Sequence, residues 1–99
     1  MSWQNVLKKQ FDFNMLNFKE KPNGHLQAKY GEEPNDYSIL LMVGYWRGDN
    51  LAEIMNPKGD IIFREVYRGN KITDEVIRGI EEAINKEMQE KLQWIGEIF

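Results

Sequence analysis

The chain has no cysteine, one histidine and two serines in 99 residues. Without cysteine there are no disulfides, thiolate metal sites or thiol nucleophiles, so stability has to come from packing. Ser2 is a cap candidate and Ser38 opens a strand; neither lies in a Gly-x-Ser-x-Gly elbow, which leaves serine-triad chemistry little to draw on. His25 has no His or Cys at ligand spacing, and its Gly-containing loop suggests a surface position. Long apolar runs are missing too. The longest, Ile39 to Val43, is far too short to span a bilayer, and the amino terminus, Met-Ser-Trp-Gln-Asn-Val-Leu-Lys-Lys, lacks the apolar stretch of a secretion signal. The expectation is a cytoplasmic protein with no membrane partner and no cofactor.

Hydrophobic residues make up 41% and charged residues 29%, the composition of a folded globular chain rather than a disordered one. Length sets the expectation of one domain over residues 1–99, and Trp3, Trp46 and Trp94 place a large side chain in each third. The net charge of −3 lacks the footprint of a duplex-binding domain. Its distribution is uneven. Residues 1–30 carry five lysines (Lys8, Lys9, Lys19, Lys21, Lys29) against two carboxylates, a net +3, whereas the remainder carries 8 basic against 14 acidic groups, a net −6. A basic arm can dock on the acidic remainder of its own domain or meet an anionic partner.

Ser2 caps an apolar stripe of Trp3, Val6, Leu7 and Phe11, which predicts a short helix over about residues 3–10 and an arm reaching residue 36. Phe11 to Met15 fits both strand and helix periods and is read as extended, since Asp and Asn are poor helix formers. Turn formers at Lys21–Gly24 and Gly31–Asp36 bracket His25 to Tyr30, a short edge strand or ordered loop. Residues 37–67 read as a β-meander. Tyr37 to Trp46 is apolar almost throughout, as a central strand covered over most of its length would be. Arg47–Asn50 is a turn, and Leu51 to Asn56 alternates. Asn56-Pro57-Lys58-Gly59 has the residues of a type I turn, and Ile61 to Tyr67 follows with Ile61, Phe63 and Tyr67 on one side and Ile62, Arg64 and Val66 on the other.

Thr73 caps a helix over residues 73–95 with Asp74 and Glu75 in its first turn. Its stripe is Val76, Ile77, Ile80, Ala83, Ile84, Met88 and Leu92, and Asp74/Arg78, Glu82/Lys86 and Glu87/Lys91 stand acid-first at four-residue spacing. Gly79 inside that helix costs about 1 kcal/mol relative to Ala, which suggests close contact with the sheet. The predicted fold is α+β: a short N-terminal helix, a three- or four-stranded antiparallel meander, and a long C-terminal helix packed on one face. In order and size this resembles the helix, three-strand, helix layout of double-stranded RNA-binding domains. The likeness is one of topology and covers no motif; those domains meet phosphates with basic residues at the start of the last helix, where Thr73-Asp74-Glu75 would repel them.

Several motifs carry no chemistry. Gly44 to Asp49 joins strands and opens no helix, so it cradles no phosphate, and its Arg-Gly-Asp triplet is ordinary turn chemistry. Glu81 and Glu82 point about 100° apart on a helix and do not converge. Glu65, flanked by Arg64, is the carboxylate to check for burial, with a cross-strand pair to Arg47 or Lys58 as its structural role. A hydrolase or isomerase would need Glu65 and His25 to meet in a pocket.

The strongest functional signal is the carboxyl end. A helix to Ile95 spans about 33 Å, whereas strands of six or seven residues span about 20–23 Å. Leu92, Trp94, Ile95, Ile98 and Phe99 fall on the overhang, and a cluster of that kind marks an interaction surface unless Trp3, Leu7 and Phe11 of the arm fold over it. The leading expectation is a non-enzymatic protein-interaction domain, a homodimer or subunit of a complex. The alternative is weak single-stranded nucleic-acid binding through Lys8, Lys9, Lys19, Lys21 and Lys29 with Tyr45, Trp46 and Arg47 as a stacking platform, although Trp46 is expected in the core.

Overall fold

The computed structural model describes the backbone of residues 11–98 and the side chains of residues 11–90. The architecture is α+β. Five strands, β1 (Lys19–Glu20), β2 (Leu26–Tyr30), β3 (Tyr37–Trp46), β4 (Asp49–Met55) and β5 (Ile61–Tyr67), form an antiparallel sheet in sequential order, and one helix, α1 (Asp74–Ile98), follows.

The sheet has five strands, where three or four were expected. β1 is two charged residues long and β2 five, too short for alternation to register against the surrounding turn formers. β3 is central, as its apolar run implies, but β2 is no edge strand because β1 pairs with it. These two strands also separate the layout from that of a double-stranded RNA-binding domain. The helix expected over residues 3–10 lies outside the described residues. Within them, Phe13–Met15 is a 3-10 turn in place of extended chain. Asp12 explains it: its side chain accepts from the Asn14 N–H at 2.8 Å, the local bond by which Asp starts a turn.

One sheet face carries Tyr37, Ile39 and Leu41 of β3 with Ala52 and Ile54 of β4, and α1 lays Val76, Ile80 and Ile84 across it. Ile39, Ile54, Ile80 and Ile84 are fully buried, each stabilising the fold by roughly 1.5–3 kcal/mol. Phe11 joins this core edge-on to Tyr30, with ring centroids 4.6 Å apart. The arm is then tied to α1 by polar bonds: the Phe11 N–H donates to Asn85 Oδ1 at 2.7 Å, Asn85 Nδ2 donates to the Phe11 carbonyl at 3.2 Å, and the Phe13 N–H donates to Glu81 Oε2 at 2.9 Å.

Thr73 caps α1 as its position implies, accepting from the Val76 N–H at 3.3 Å. The Asn56–Gly59 turn closes with the Gly59 N–H on the Asn56 carbonyl at 2.9 Å, and Gly59 holds the left-handed φ of 93° that the turn needs. Asp74/Arg78 and Glu82/Lys86 close no ion pair, which agrees with the small value of such exposed pairs.

Two irregularities change the side-chain directions read from alternation. Ile54 pairs with Phe63 but Met55 with Ile61, so Ile62 is a bulge residue and packs with Phe63 toward the core instead of away from it. Met42 pairs with Leu51 and Trp46 with Asp49, which leaves Val43, Gly44 and Tyr45 opposite Asn50. Beyond this second irregularity β3 leaves the core. Trp46, expected inside, is 62% exposed, and Val43 and Tyr45 are also exposed. An apolar run records hydrophobicity but not where the covering layer stops.

Candidate functional site

Two regions position the residues singled out by sequence. The first is the end of α1. The last of its described inward contacts are those of Glu87 and Met88: Glu87 Oε1 accepts from Asn56 Nδ2 at 3.1 Å and from the Tyr37 hydroxyl at 3.3 Å, and Met88 packs against the rim of the core. Burial and the neighbouring Glu87 carboxylate push the Tyr37 phenol up to about 12, so it stays protonated and donating. Past Met88 the helical backbone continues to Ile98. Leu92 and Ile95 follow Ile84 and Met88 at four- and three-residue steps, the spacing of one helical face. The side chains of Leu92, Trp94, Ile95 and Ile98, and all of Phe99, lie outside the described residues.

The second region is the β3–β4 hairpin. Arg47 and Gly48 form its two-residue turn with φ of 47° and 86°, both in the left-handed region that matches strand twist. Tyr45 and Trp46 project into solvent, and the Arg47 guanidinium lies 5.3 Å from the Trp46 ring centroid. Arg68, which the sequence reading passed over, reaches the same end of the sheet and pairs with Asp49 at 3.0 Å. Of the five lysines proposed alongside this platform, Lys8 and Lys9 fall outside the described residues. Lys21 sits in the β1–β2 turn, at the same end of the sheet as the hairpin, and Lys19 is exposed on the edge strand. Lys29 is committed elsewhere, 3.3 Å from Glu33 and 3.7 Å from Asp36.

The carboxylate and imidazole of the enzymatic alternative do not meet. His25 precedes β2 and Glu65 is on β5, three strand spacings or about 14 Å apart across the sheet. Glu65 is exposed and pairs with neither Arg47 nor Lys58; the cross-strand pair on these strands is Arg64 with Glu53, at 2.9 and 2.6 Å. That bond and charge raise the Arg64 guanidinium above its ordinary value. Among the described residues, no three His, Cys, Asp or Glu side chains converge to hold a metal, and no helix is long and apolar enough to cross a membrane.

The sheet face turned away from α1 is also partly apolar. Tyr45, Met55, Ile61 and Val66 are exposed around a buried Leu51, with the Arg64–Glu53 pair among them. Alternation on β4 implies one wetter face without saying which, and the structure puts Leu51, Glu53 and Met55 on this one. The two bulges, invisible in sequence, decide which large residues it displays. Comparison with protein-family models, with curated proteins and with solved structures returns no match, so geometry carries the functional argument.

Proposed function

We propose that this chain is a non-enzymatic cytoplasmic protein-interaction domain that pairs, with a second copy of itself, through Leu92, Trp94, Ile95, Ile98 and Phe99. The supporting observation is a mismatch of length. α1 has 25 residues, about 37 Å, against about 23 Å for the seven-residue β4 and β5 and about 33 Å for the ten-residue β3, whose last residues leave the core. Among the described side chains the last to pack against the core is Met88, and the sequence keeps its apolar spacing for another ten positions. Two such ends meeting about a twofold axis bury the same stripe on both partners, the commonest solution for a self-complementary patch. A stable interface of this kind hides roughly 800 Å² per partner, and two large aromatics with three aliphatic side chains supply a substantial part of it.

Sedimentation velocity on the full chain and on a variant ending at Lys91 tests the reading. The full chain is expected to sediment as a dimer and the shortened one as a folded monomer. A doubly charged variant, Leu92→Glu with Ile95→Glu, is expected to be monomeric as well without loss of chain. A full chain that sediments as a monomer while binding its partners as well as the shortened one does would overturn the proposal.

A second reading, weak single-stranded nucleic-acid binding, draws support from the outward placement of Tyr45 and Trp46 with Arg47 stacked on the latter. On that reading a short oligonucleotide binds at low salt, the affinity drops as salt rises, and Trp46→Ala removes roughly 1–3 kcal/mol of stacking. A flat titration at low salt eliminates it.

A further inference from the structure

The end of the sheet nearest the hairpin also holds an enclosed feature that neither interaction surface uses. A cleft of about 460 Å³ opens between the 3-10 turn, the ends of β2, β3 and β5, and the chain that leads into α1. Phe13, Phe18, Leu26, Leu41 and Ile72 form its apolar walls, and no charged residue among the described ones lines it. Its volume falls in the range of small-molecule sites.

Two buried polar side chains face this cleft, and they differ. Asn50 is fully committed: Oδ1 accepts from the Gly44 N–H at 3.0 Å and Nδ2 donates to the Gly69 carbonyl at 2.9 Å, joining the β3 irregularity to the loop after β5. These bonds hold the mouth of the cleft in shape. Tyr67 is 8% exposed and makes no hydrogen bond with the described residues. No described side-chain polar atom is both sealed from solvent and unpartnered, so the phenol oxygen keeps some open surface, on a residue that lines the cleft. Burial raises this phenol above its ordinary value, which keeps it neutral and able to donate or accept. A phenylalanine would fill the same space without a buried hydroxyl to satisfy, so the hydroxyl serves no packing need.

We propose that this cleft is a binding site for a neutral, largely apolar small molecule carrying one hydroxyl or carbonyl, which hydrogen-bonds to the Tyr67 hydroxyl while its body lies against Phe13, Phe18, Leu26 and Ile72. No cation stands among the described lining residues, which argues against carboxylates and phosphates, because an anion buried against them would lose its water without gaining a partner. The proposal stands independently of pairing through α1.

The test uses 2-naphthol as the hydroxyl-bearing probe and naphthalene as its hydroxyl-free counterpart, followed by methyl resonances of the full-length protein. Saturable shifts at Leu26, Leu41, Val43 and Ile72 are expected with 2-naphthol. Tyr67→Phe should weaken 2-naphthol by roughly five- to tenfold, the equivalent of one hydrogen bond, and leave naphthalene within about twofold. Val43→Trp, at an exposed rim position, should block both probes without disturbing the core. Absence of saturable shifts, equal 2-naphthol affinity in Tyr67→Phe, or undiminished binding in Val43→Trp would each overturn the assignment.

Discussion

Gly79→Ala is expected to destabilise the protein by about 1–2 kcal/mol, opposite in sign to the gain of about 1 kcal/mol that helix propensity alone assigns to it. A Cβ added at Gly79 would lie 2.7 Å from Cε1 and 3.0 Å from Cζ of Phe63, closer than carbon atoms approach. Phe63 is half-buried, and its ring tip has to move to make room. It sits next to the Ile62 bulge, where two consecutive residues of β5 turn toward the helix, and it packs against the core. Either the ring leaves its rotamer or α1 lifts from the sheet above Ile54. Urea unfolding of four proteins separates these terms: wild type, Gly79→Ala, Phe63→Leu and the double variant. With the ring gone, Gly79→Ala should become stabilising. If alanine raises stability while Phe63 is present, the close approach of helix and sheet at this point is wrong.

Asn56→Ala is expected to cost about 2–3 kcal/mol, large for a side chain in a turn. Asn56 is nearly buried, and its side chain makes three hydrogen bonds at once. Oδ1 accepts from the Lys58 N–H at 3.0 Å and the Asp60 N–H at 2.9 Å, which shapes the β4–β5 turn, and Nδ2 donates to Glu87, which fixes α1 at the sheet end. Alanine leaves two amides and a carboxylate short of partners. Asn56→Asp separates the roles. It keeps the acceptor for the turn but sets a second carboxylate against Glu87, and like charges hold the pair's titration above the ordinary carboxylate range in the folded state. The loss should therefore be greatest at neutral pH, shrink as pH falls through that raised titration, and be gone below about 4, where the unfolded chain also takes up its protons. A deficit that does not depend on pH would mean that Asn56 does not link the turn to the helix.

Both residues show what could be read before the structure. Asn56-Pro57-Lys58-Gly59 specifies its turn through local chemistry, and Thr73 with the Val76, Ile80, Ile84 stripe specifies a helix, because caps and four-residue spacing depend on near neighbours. Gly79 signalled a close approach for the same reason: glycine inside a well-patterned helix is a local cost that needs a tertiary cause. The Asn56–Glu87 bond and the Gly79–Phe63 contact were not legible, since they join positions far apart in sequence. β1 was obscured by its shortness, and β2 was legible as one of two options for His25 to Tyr30, a short strand or an ordered loop. Trp46 was misplaced because its apolar run continues past the point where α1 ceases to cover the sheet. The cleft at Tyr67 depends on where the arm crosses the strand ends, and tyrosine in a strand gives no sign of whether its hydroxyl will find a partner.

The same reasoning sets the decisive experiment for self-association. Because the chain has no cysteine, Gln93→Cys carries a single spin label beside the apolar stripe of α1. Pairing of two helices places their axes roughly 8–10 Å apart, so a dipolar distance within about 20–40 Å is expected between labels and should vanish when Leu92→Glu and Ile95→Glu are added. Labelled protein with no dipolar modulation at concentrations that saturate a stable dimer, or a signal that survives both charges, would contradict pairing through the end of this helix.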